Sequence, residues 1–388
     1  MTHPLPTPDG RPQTWFEGLD ALRGLAAIFV IWLHSSEMFV KIPAVAAHGT
    51  VLYDVINLAG LGRAGLIGFF AVSGFVICAT LRGPLGTTLA SFAIKRFFRL
   101  YPVFWVSIPF GLWAAWYLFD KPISWQLIAA NITILPMLLG QPVIMGQYWS
   151  LETEALFYVL AAAMFAVGIL WKGRWVLAVI ALFQLVLALG VFHLIPYPEY
   201  KPWQITPYHM GIVLWGWVAR MAHDRNQAAG GAYWSWIKDR EFLVASALML
   251  GPALARLALW ESQTSISAAI AGPLGMAMFV GFLVFPYRYT RNAVWRFLVW
   301  VGTVSYSTYL FHPVVFYPLY WWARQHPESW VAQLHVSAYV LFAVAGTLVV
   351  AGLSFRWFED PPNQYAHRLV KRLFPASRTS AKAKAAAG

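Results

Sequence analysis

The chain has 388 residues, of which 59% are hydrophobic and only 11% charged, and its formal net charge is +12. A soluble globular chain carries roughly a quarter charged residues, so this one lacks the polar surface needed to face water on all sides. Its basic residues lie in short loops between apolar runs, which argues against a nucleic-acid surface. Apolar runs of about 20 residues recur along the chain, and each can cross a ~30 Å hydrocarbon core. We therefore predict an all-α, polytopic transmembrane helical bundle in a lipid bilayer.

The first apolar run is predicted to remain in place as a membrane span. Residues 1–18 are polar and proline-rich without a signal-peptide cleavage pattern, so we expect a short cytoplasmic lead-in. About ten spans are predicted, at approximately 20–40, 64–81, 102–119, 149–170, 175–195, 204–221, 242–260, 266–285, 297–320 and 334–354. Most of the 28 Lys and Arg residues then lie on the side of the N-terminus, so the positive-inside rule places both termini in the cytoplasm. The basic tail, 362–388, is predicted to be disordered.

Segment 122–148 is the ambiguous part of this topology. It is apolar, but Pro122, Pro136 and Pro142 interrupt it. A proline inside a helix removes a hydrogen bond and clashes with the preceding turn. We therefore predict a re-entrant or surface-lying piece, because a full span here would invert the second half of the topology.

The single cysteine, Cys78, lies inside an apolar run. One cysteine forms no intramolecular disulfide, and zinc motifs of the CxxC type are absent from the sequence. We expect a buried small apolar residue at this position and no metal site in the chain.

The first predicted span, LDALRGLAAIFVIWLHSSEMF, carries four ionisable residues: Asp20, Arg23, His34 and Glu37. Charged groups inside a span are costly and point to function. At 100° per residue all four share one helical face, with Arg23 and His34 about 16 Å apart along the axis. The stripe predicts an internal cleft with a cation near the cytoplasm and an imidazole near the far side. Ordinary helix-end polarity, or a polar pair that holds helices together, is the alternative.

The second span and its exit carry GLIGFFAVSGFVICATL and then SFAIKRFFRLYP. Lys95, Arg96 and Arg99 are predicted to lie on an amphipathic helix along the cytoplasmic surface. Guanidinium groups bind phosphate in a bidentate manner, so the two arginines are candidates for holding a phosphorylated donor. A simple positive-inside anchor is the alternative. Ser73 and Gly74 permit close helix contact.

The fourth span opens with WSLETEALFY. We expect Trp149 to mark the outer interface, Glu152 to lie near water, and Glu154 to face the protein interior. A carboxylate there orients an imidazole or accepts a hydrogen bond from a sugar hydroxyl. The alternative is a carboxylate favoured by the positive end of the helix dipole.

The ninth span contains SYSTYLFHPV, which sets Tyr306, Tyr309 and His312 at intervals of three residues on roughly one face. Aromatic packing accounts equally well for the tyrosines. His312 is either an acceptor-site residue or a structural one.

Taken together, these segments resemble the membrane-bound acyltransferase 3 family. ALRGLAAIFVIWLH is similar to its Arg-x10-His pattern, FFAVSGF to its Phe-Phe-x-x-Ser-Gly-Phe motif, and KRFFRLYP to its Arg-x-x-Arg segment. WSLETEALFY, SYSTYLFH and FRWFEDP look like its Trp-Ser-Leu-x-x-Glu, Ser-Tyr-x-x-Tyr-Leu-x-His and Glu-x-Pro elements. The resemblance runs from about residue 19 to 361 in the order expected for the family.

The resemblance implies transfer of an acyl group, usually acetyl, from cytoplasmic acyl-CoA to a hydroxyl of a saccharide or lipid-linked glycan, in the bacterial cytoplasmic (inner) membrane. It implies that His34 is the catalytic base or acyl-handling residue, with Arg23 at the donor and Glu154 on the acceptor side. The donor-binding residues are expected to be Arg96, Arg99, Lys95 and Ser73. Those for the acceptor are expected to be Glu37, Trp149, Tyr309 and His312.

One departure from the family is Gly65-Leu66-Ile67, where many members have Gly-Val-Asp. The missing acid puts acceptor contacts near position 67 in doubt. A transporter or flippase with an Arg- and His-lined path remains an alternative, because such residues also mark solute and proton routes. A membrane glycosyltransferase that uses a lipid-linked sugar is another.

Overall fold

The computed structural model describes residues 17–196, 201–258, 263–284 and 292–375. Within these ranges the chain forms α-helices joined by short turns and loops, with no β-strand, which confirms the all-α prediction. The helices are α1 Glu17–Phe39, α2 Pro43–Ala47, α3 Val51–Leu58, α4 Leu61–Ile77, α5 Leu85–Ala115, α6 Trp125–Ile132, α7 Tyr148–Ala166, α8 Gly173–Val191, α9 Lys201–Ala228, α10 Arg240–Ala258, α11 Gln263–Val284, α12 Ala293–Thr303, α13 Ser305–Gln325, α14 Val336–Ser354 and α15 Asp360–Leu373.

Several of these helices have the length and composition of membrane spans. In the described part of the chain five qualify: Glu17–Phe39, Leu61–Thr80, Leu85–Phe119, Gly173–Val191 and Val336–Leu373. The figure of ten spans and the cytoplasmic placement of the termini stay predictions. Cys78 is fully buried, as expected.

Helix α1 lies at the centre of the bundle and defines its two ends. Close contacts of Gly65 with Ala26 and of Gly62 with Leu33 show that α4 runs antiparallel to α1. Arg23 lies toward one end of α1, and His34, on which the His312 ring stacks, lies toward the other. We call the two ends of the bundle the Arg23 end and the His34 end.

Helices α4 and α9 cross at two glycines. A Cβ atom on Gly74 would lie 1.7 Å from the carbonyl oxygen of Val213, and one on Gly216 would lie 2.0 Å from that of Ala71. Only glycine permits backbones to approach this closely, as in small-residue contacts between membrane helices. The Gly74 of the FFAVSGF segment therefore serves helix packing.

We expect Gly74→Ala to lower the free energy of unfolding by about 1–3 kcal/mol, because the added methyl group overlaps a backbone oxygen. Thermal unfolding in detergent would measure the loss. Gly281→Ala is the matched control, since a Cβ there meets no atom within 4 Å. Equal melting temperatures for the two variants would contradict this role of Gly74.

Helix α5 differs from the prediction for its region. The basic residues Lys95, Arg96 and Arg99 do not lie on a separate surface helix, because α5 runs unbroken from Leu85 to Ala115. Pro102 and Pro109 lie inside it, and membrane helices tolerate proline where neighbouring groups satisfy the freed carbonyls. The basic segment is therefore fixed to the same rigid element that enters the bundle.

The predicted span 297–320 is also wrong as a single helix. It is divided into α12 and α13 by a break at Val304. The break exposes the first N–H groups of α13, and the Glu359 carboxylate accepts the N–H of Ser307 at 3.1 Å. A carboxylate at a helix N-terminus satisfies unpaired donors and favours the helix dipole.

The C-terminal region is more ordered than predicted. Helix α14 passes through a π-helical turn, Phe355–Glu359, directly into α15. Disorder was expected from residue 362, but α15 is strongly amphipathic and buries Ala366 and Val370 against the bundle. Residues 376–388 of the predicted tail and 1–16 of the predicted lead-in lie outside the described residues.

Segment 122–148 contains only α6, eight residues long, and folds back along α5. Trp116 Nε1 donates to the carbonyl of Ile144 at 2.7 Å, while Trp105 Nε1 donates to that of Ile132 at 3.0 Å. The two tryptophans are eleven residues apart, or about 16 Å along the helix. This depth favours the re-entrant alternative, entered from the His34 end.

An ion-pair cluster joins α9 to the end of α4. Asp224 accepts hydrogen bonds from Arg82 at 2.7 Å and from Arg220 at 2.8 Å. Burial opposes ionisation of this carboxyl, but hydrogen bonds from His223, Arg220 and Arg82 outweigh burial and lower its pKa to about 2. The cluster therefore stabilises the fold at neutral pH and loses this contribution only as the pH falls from 3.8 towards 2.

Candidate active site

A pocket opens between α1, α4, α5, α7 and α13 toward the Arg23 end. Its volume, including the open mouth, is about 790 Å³. Apolar side chains line one part of it, among them Leu66, Phe69 and Phe70. The polar lining is formed by Arg23, Ser73, Arg96, Arg99, Ser150, Glu154, Tyr158, Ser305, Tyr306 and Tyr309. A site with three guanidinium groups in a partly apolar pocket is suited to an anionic ligand with an apolar arm.

The three arginines of the pocket differ in their partners. Arg23 has a loose contact with Asp20, at 3.5 Å, whereas Arg99 forms a salt bridge with the fully buried Glu359. Arg96 has no acidic partner among the described residues, and its buried Nε lacks a hydrogen-bond acceptor. Its guanidinium group lies against the Phe92 and Tyr158 rings, 5.3 and 5.5 Å from their centroids. Arg96 is therefore the pocket cation most available to an anion.

Glu359 organises the wall of the pocket. Besides Arg99, it accepts the hydroxyl of Ser307 at 2.6 Å and the N–H of the same residue. Tyr306 adds a bond from its hydroxyl to the carbonyl of Leu100. These contacts hold α13 against α5 and fix Arg99 in place.

We expect Glu359→Gln to lower the free energy of unfolding by about 3–5 kcal/mol, because it leaves the half-buried Arg99 without its counter-charge. Glu328→Gln is the control, since its side chain is 76% exposed. Chemical denaturation in detergent would compare the two. A loss no larger than that of the control would show that Glu359 is not a structural anchor.

Glu154 lies in the pocket rather than beside the His34 ring. Its carboxylate accepts the hydroxyl of Tyr158, one helical turn along α7. Tyr309 of α13 also lines the pocket, and its hydroxyl donates to the carbonyl of Gln147 at 2.7 Å and contacts Ser150. Glu154 therefore shares a cavity with the arginines.

His34 and His312 form a second group toward the other end of α1. Their rings are stacked, with centroids 5.6 Å apart and planes at 19°. His34 is half exposed and lies 3.9 Å from Glu37, while His312 is fully buried. Nδ1 of His312 is 2.8 Å from the carbonyl of Tyr309, so it carries the proton, and Nε2 is left as a buried acceptor without a partner.

The four ionisable residues of the predicted first span are thus divided into two pairs. Arg23 lines the pocket with Asp20 3.5 Å from it, and His34 and Glu37 form a pair outside the pocket lining. A single cleft shared by all four was expected and is not found among the described residues. Tyr309 connects the two groups, because it lines the pocket and its ring lies 5.9 Å from His312.

Two predicted site residues lie outside both groups. The Trp149 ring stacks on the buried His209 at 5.2 Å, between α7 and α9, and its place at the outer interface stays a prediction. Lys95 lies next to Arg96 on α5 but does not line the pocket. Ser73 and Tyr309 both line it, and their roles at the donor and the acceptor stay predictions.

Two further positions correct the sequence expectations. Glu152 was expected near water, but it is fully buried and accepts the N–H groups of Met137 and Leu138 at 2.9 and 2.8 Å. It therefore anchors the tip of the re-entrant segment. Many family members have an acidic residue at the position of Ile67. In this chain Ile67 packs against Gly275 of α11, so the position lies in a contact between helices, while its neighbour Leu66 lines the pocket.

Comparison with known proteins now decides the family. The model of the acyltransferase 3 family, described as an acyltransferase domain, matches residues 16–355. The chain belongs to the acyltransferase 3 family. No solved structure matches it.

Two curated relatives of this acyltransferase 3 chain were found. One, from Bacillus subtilis (strain 168), is named "Putative peptidoglycan O-acetyltransferase YrhL" and is 24% identical over 92% of the chain. The other, from Rhizobium radiobacter, is named "Protein 2 in picA locus" and is 33% identical over 28% of the chain. The matches cover 56% and 48% of the two relatives, so the chain spans about half of their length.

Some residues of this acyltransferase 3 site escaped the sequence reasoning. Glu359 lies in the FRWFEDP segment, but its long-range pairing with Arg99 leaves no local signal. Tyr158 follows Glu154 by four residues, which is the spacing of a helical contact and a usable signal. Among the described residues no group of three or more His, Cys, Asp or Glu side chains is placed to hold a metal ion.

Proposed function

We propose that the protein is a membrane O-acyltransferase that moves an acyl group, in the simplest case acetyl, from cytoplasmic acyl-CoA to a hydroxyl of a saccharide acceptor. The observation that carries the proposal is the division of the site into an arginine-rich pocket and a separate pair of histidines. Membership of the acyltransferase 3 family and the printed name of the Bacillus relative support the reaction class.

The donor is assigned to the pocket. The diphosphate of CoA is held by Arg96, with Arg99 and Arg23 adding positive charge. The apolar wall of Leu66, Phe69 and Phe70 then accepts the pantetheine arm. In this orientation the thioester points toward Tyr309 and the histidine pair.

The acceptor is assigned to the half-exposed His34 and Glu37. The hydroxyl oxygen of the acceptor attacks the thioester carbonyl carbon while neutral His34 takes the hydroxyl proton. The C–S bond breaks, and the proton returns to the CoA thiolate as the ester is released. Transfer through an acyl-His34 intermediate has the same overall balance. The buried His312 stacks on the His34 ring and restricts its orientation.

A transporter or flippase is the second candidate, because an unpaired Arg96 and an exposed His34 also suit a solute path. A transporter or flippase needs no site for CoA. A glycosyltransferase that uses a lipid-linked sugar does not need one either.

Thermal stabilisation by CoA separates these candidates. An acyltransferase is stabilised by RT ln(1 + [L]/Kd), which is about 2.7 kcal/mol at 100 times Kd, so CoA and acetyl-CoA should raise the melting temperature of the purified protein. Adenosine, which lacks the phosphates, serves as the control ligand. No shift with CoA at millimolar concentration would contradict the proposal.

A further inference from the structure

Helix α15 brings a second set of basic side chains beside the segment of α5 that contributes Arg96 and Arg99 to the pocket. It packs on α5, where the Tyr365 ring contacts that of Phe98 at 5.3 Å, and its apolar side is buried through Ala366 and Val370. Its polar side is exposed and basic, with His367, Arg368, Lys371 and Arg372. The described chain therefore places an ordered basic helix directly beside the basic segment of α5.

The basic residues of the two helices lie near each other, because α15 packs on α5 through Tyr365 and Phe98. The His367 imidazole interacts electrostatically with Lys95, Lys371 and Arg96. His367 and Lys371 are one helical turn apart on the same face of α15. Arg96 also lines the pocket, so the cluster is continuous with the proposed donor site.

These basic side chains lie together without an acidic partner among the described residues. None of the four takes part in a salt bridge there, whereas Arg82, Arg99 and Arg220 each pair with an acid. Uncompensated like charges repel each other and favour a bound anion. They indicate a second anion position beside the pocket, next to the one that the unpaired Nε of Arg96 offers within it.

We propose that Lys95, His367 and Lys371 bind the 3′-phosphomonoester of the CoA donor, while Arg96 holds its diphosphate. This rests on the proposed function. CoA carries its phosphates at two places, a diphosphate next to the pantetheine arm and a monoester on the ribose beyond it. Arg96 in the pocket and the basic cluster outside it follow each other in the same order as these two phosphate groups. Helix α15 thereby becomes part of the donor site and selects 3′-phosphorylated donors.

The test compares acetyl-CoA with 3′-dephospho-acetyl-CoA as donors for the purified full-length protein. The double variant Lys95→Gln and Lys371→Gln should raise the KM for acetyl-CoA roughly fivefold to tenfold and leave that for the dephospho donor unchanged. The matched control is Arg368→Gln with Arg372→Gln, which removes two charges from exposed positions of α15 outside the proposed cluster. The control should retain the wild-type preference between donors.

The outcomes separate the two proposals. If the wild-type protein transfers acetyl from neither donor, the proposed function fails. If it uses both donors with the same KM, the acyltransferase stands and the phosphomonoester site is overturned. A third outcome also overturns the site: the double variant raises the KM of both donors equally, and does so only in vesicles of anionic lipid. The cluster then binds lipid headgroups.

Discussion

His34→Ala should abolish acyl transfer and leave the protein folded. A positioned general base accelerates proton transfer roughly 10²–10⁴-fold, so we expect kcat to fall at least a hundredfold. The ring is half exposed and its contacts are the Glu37 carboxylate and the stacked His312, so its loss should change stability little. Release of free CoA thiol from acetyl-CoA in the presence of acceptor measures the rate.

The donor site provides an internal control for this variant. His34 lies outside the pocket that holds the arginines, so His34→Ala should retain the full thermal stabilisation by CoA. His48→Ala, at an exposed position in the loop after α2, is the matched histidine control and should keep normal turnover. Near-normal transfer by His34→Ala would exclude the role assigned to its imidazole.

Arg96→Gln should weaken binding of the donor rather than slow the chemical step. A charge-assisted hydrogen bond is worth about 1.5–3 kcal/mol, which corresponds to a rise in the KM for acetyl-CoA of roughly 10- to 100-fold. The side chain has no acidic partner among the described residues, so its replacement leaves no unpaired carboxylate behind. Steady-state kinetics with varied acetyl-CoA give KM and kcat separately.

The contrast with Arg99 sharpens this prediction. Arg99 already has the buried Glu359 as its counter-ion, so its removal damages the fold as well as the pocket. Arg372→Gln, on the exposed side of α15, removes one charge at the same end and should leave KM unchanged. An unchanged KM in Arg96→Gln would contradict its place at the donor phosphates.

The sequence predicted the parts of the fold that local periodicity controls. Apolar runs define α1, α4, α8 and α14 closely, because each helix is one continuous apolar stretch. The break at Val304 was missed because it depends on Glu359, which lies 52 residues from the Ser307 N–H that it accepts. Pairings across the chain do not appear in a hydropathy pattern.

The site was predictable in composition but not in arrangement. Arg23, Arg96 and Glu154 are conspicuous in the sequence by their charge, and the structure gathers them into one pocket. Helical geometry set Arg23 and His34 on one face, but it carried no information about Tyr309 and His312, which lie at the boundary of the two groups. Whether Arg96 or Arg99 is free depended on a partner that only the fold reveals.

Transfer of acetyl from acetyl-CoA to a saccharide can be measured directly in liposomes. Purified protein in liposomes is given acetyl-CoA, radiolabelled in the acetyl group, on one side and cell-envelope saccharides on the other. We expect label on the saccharide as an ester that mild alkali hydrolyses, together with an equal release of CoA thiol. Both should be lost in His34→Ala. Recovery of the label only as intact acetyl-CoA, on either side of the bilayer, would contradict the proposed transfer.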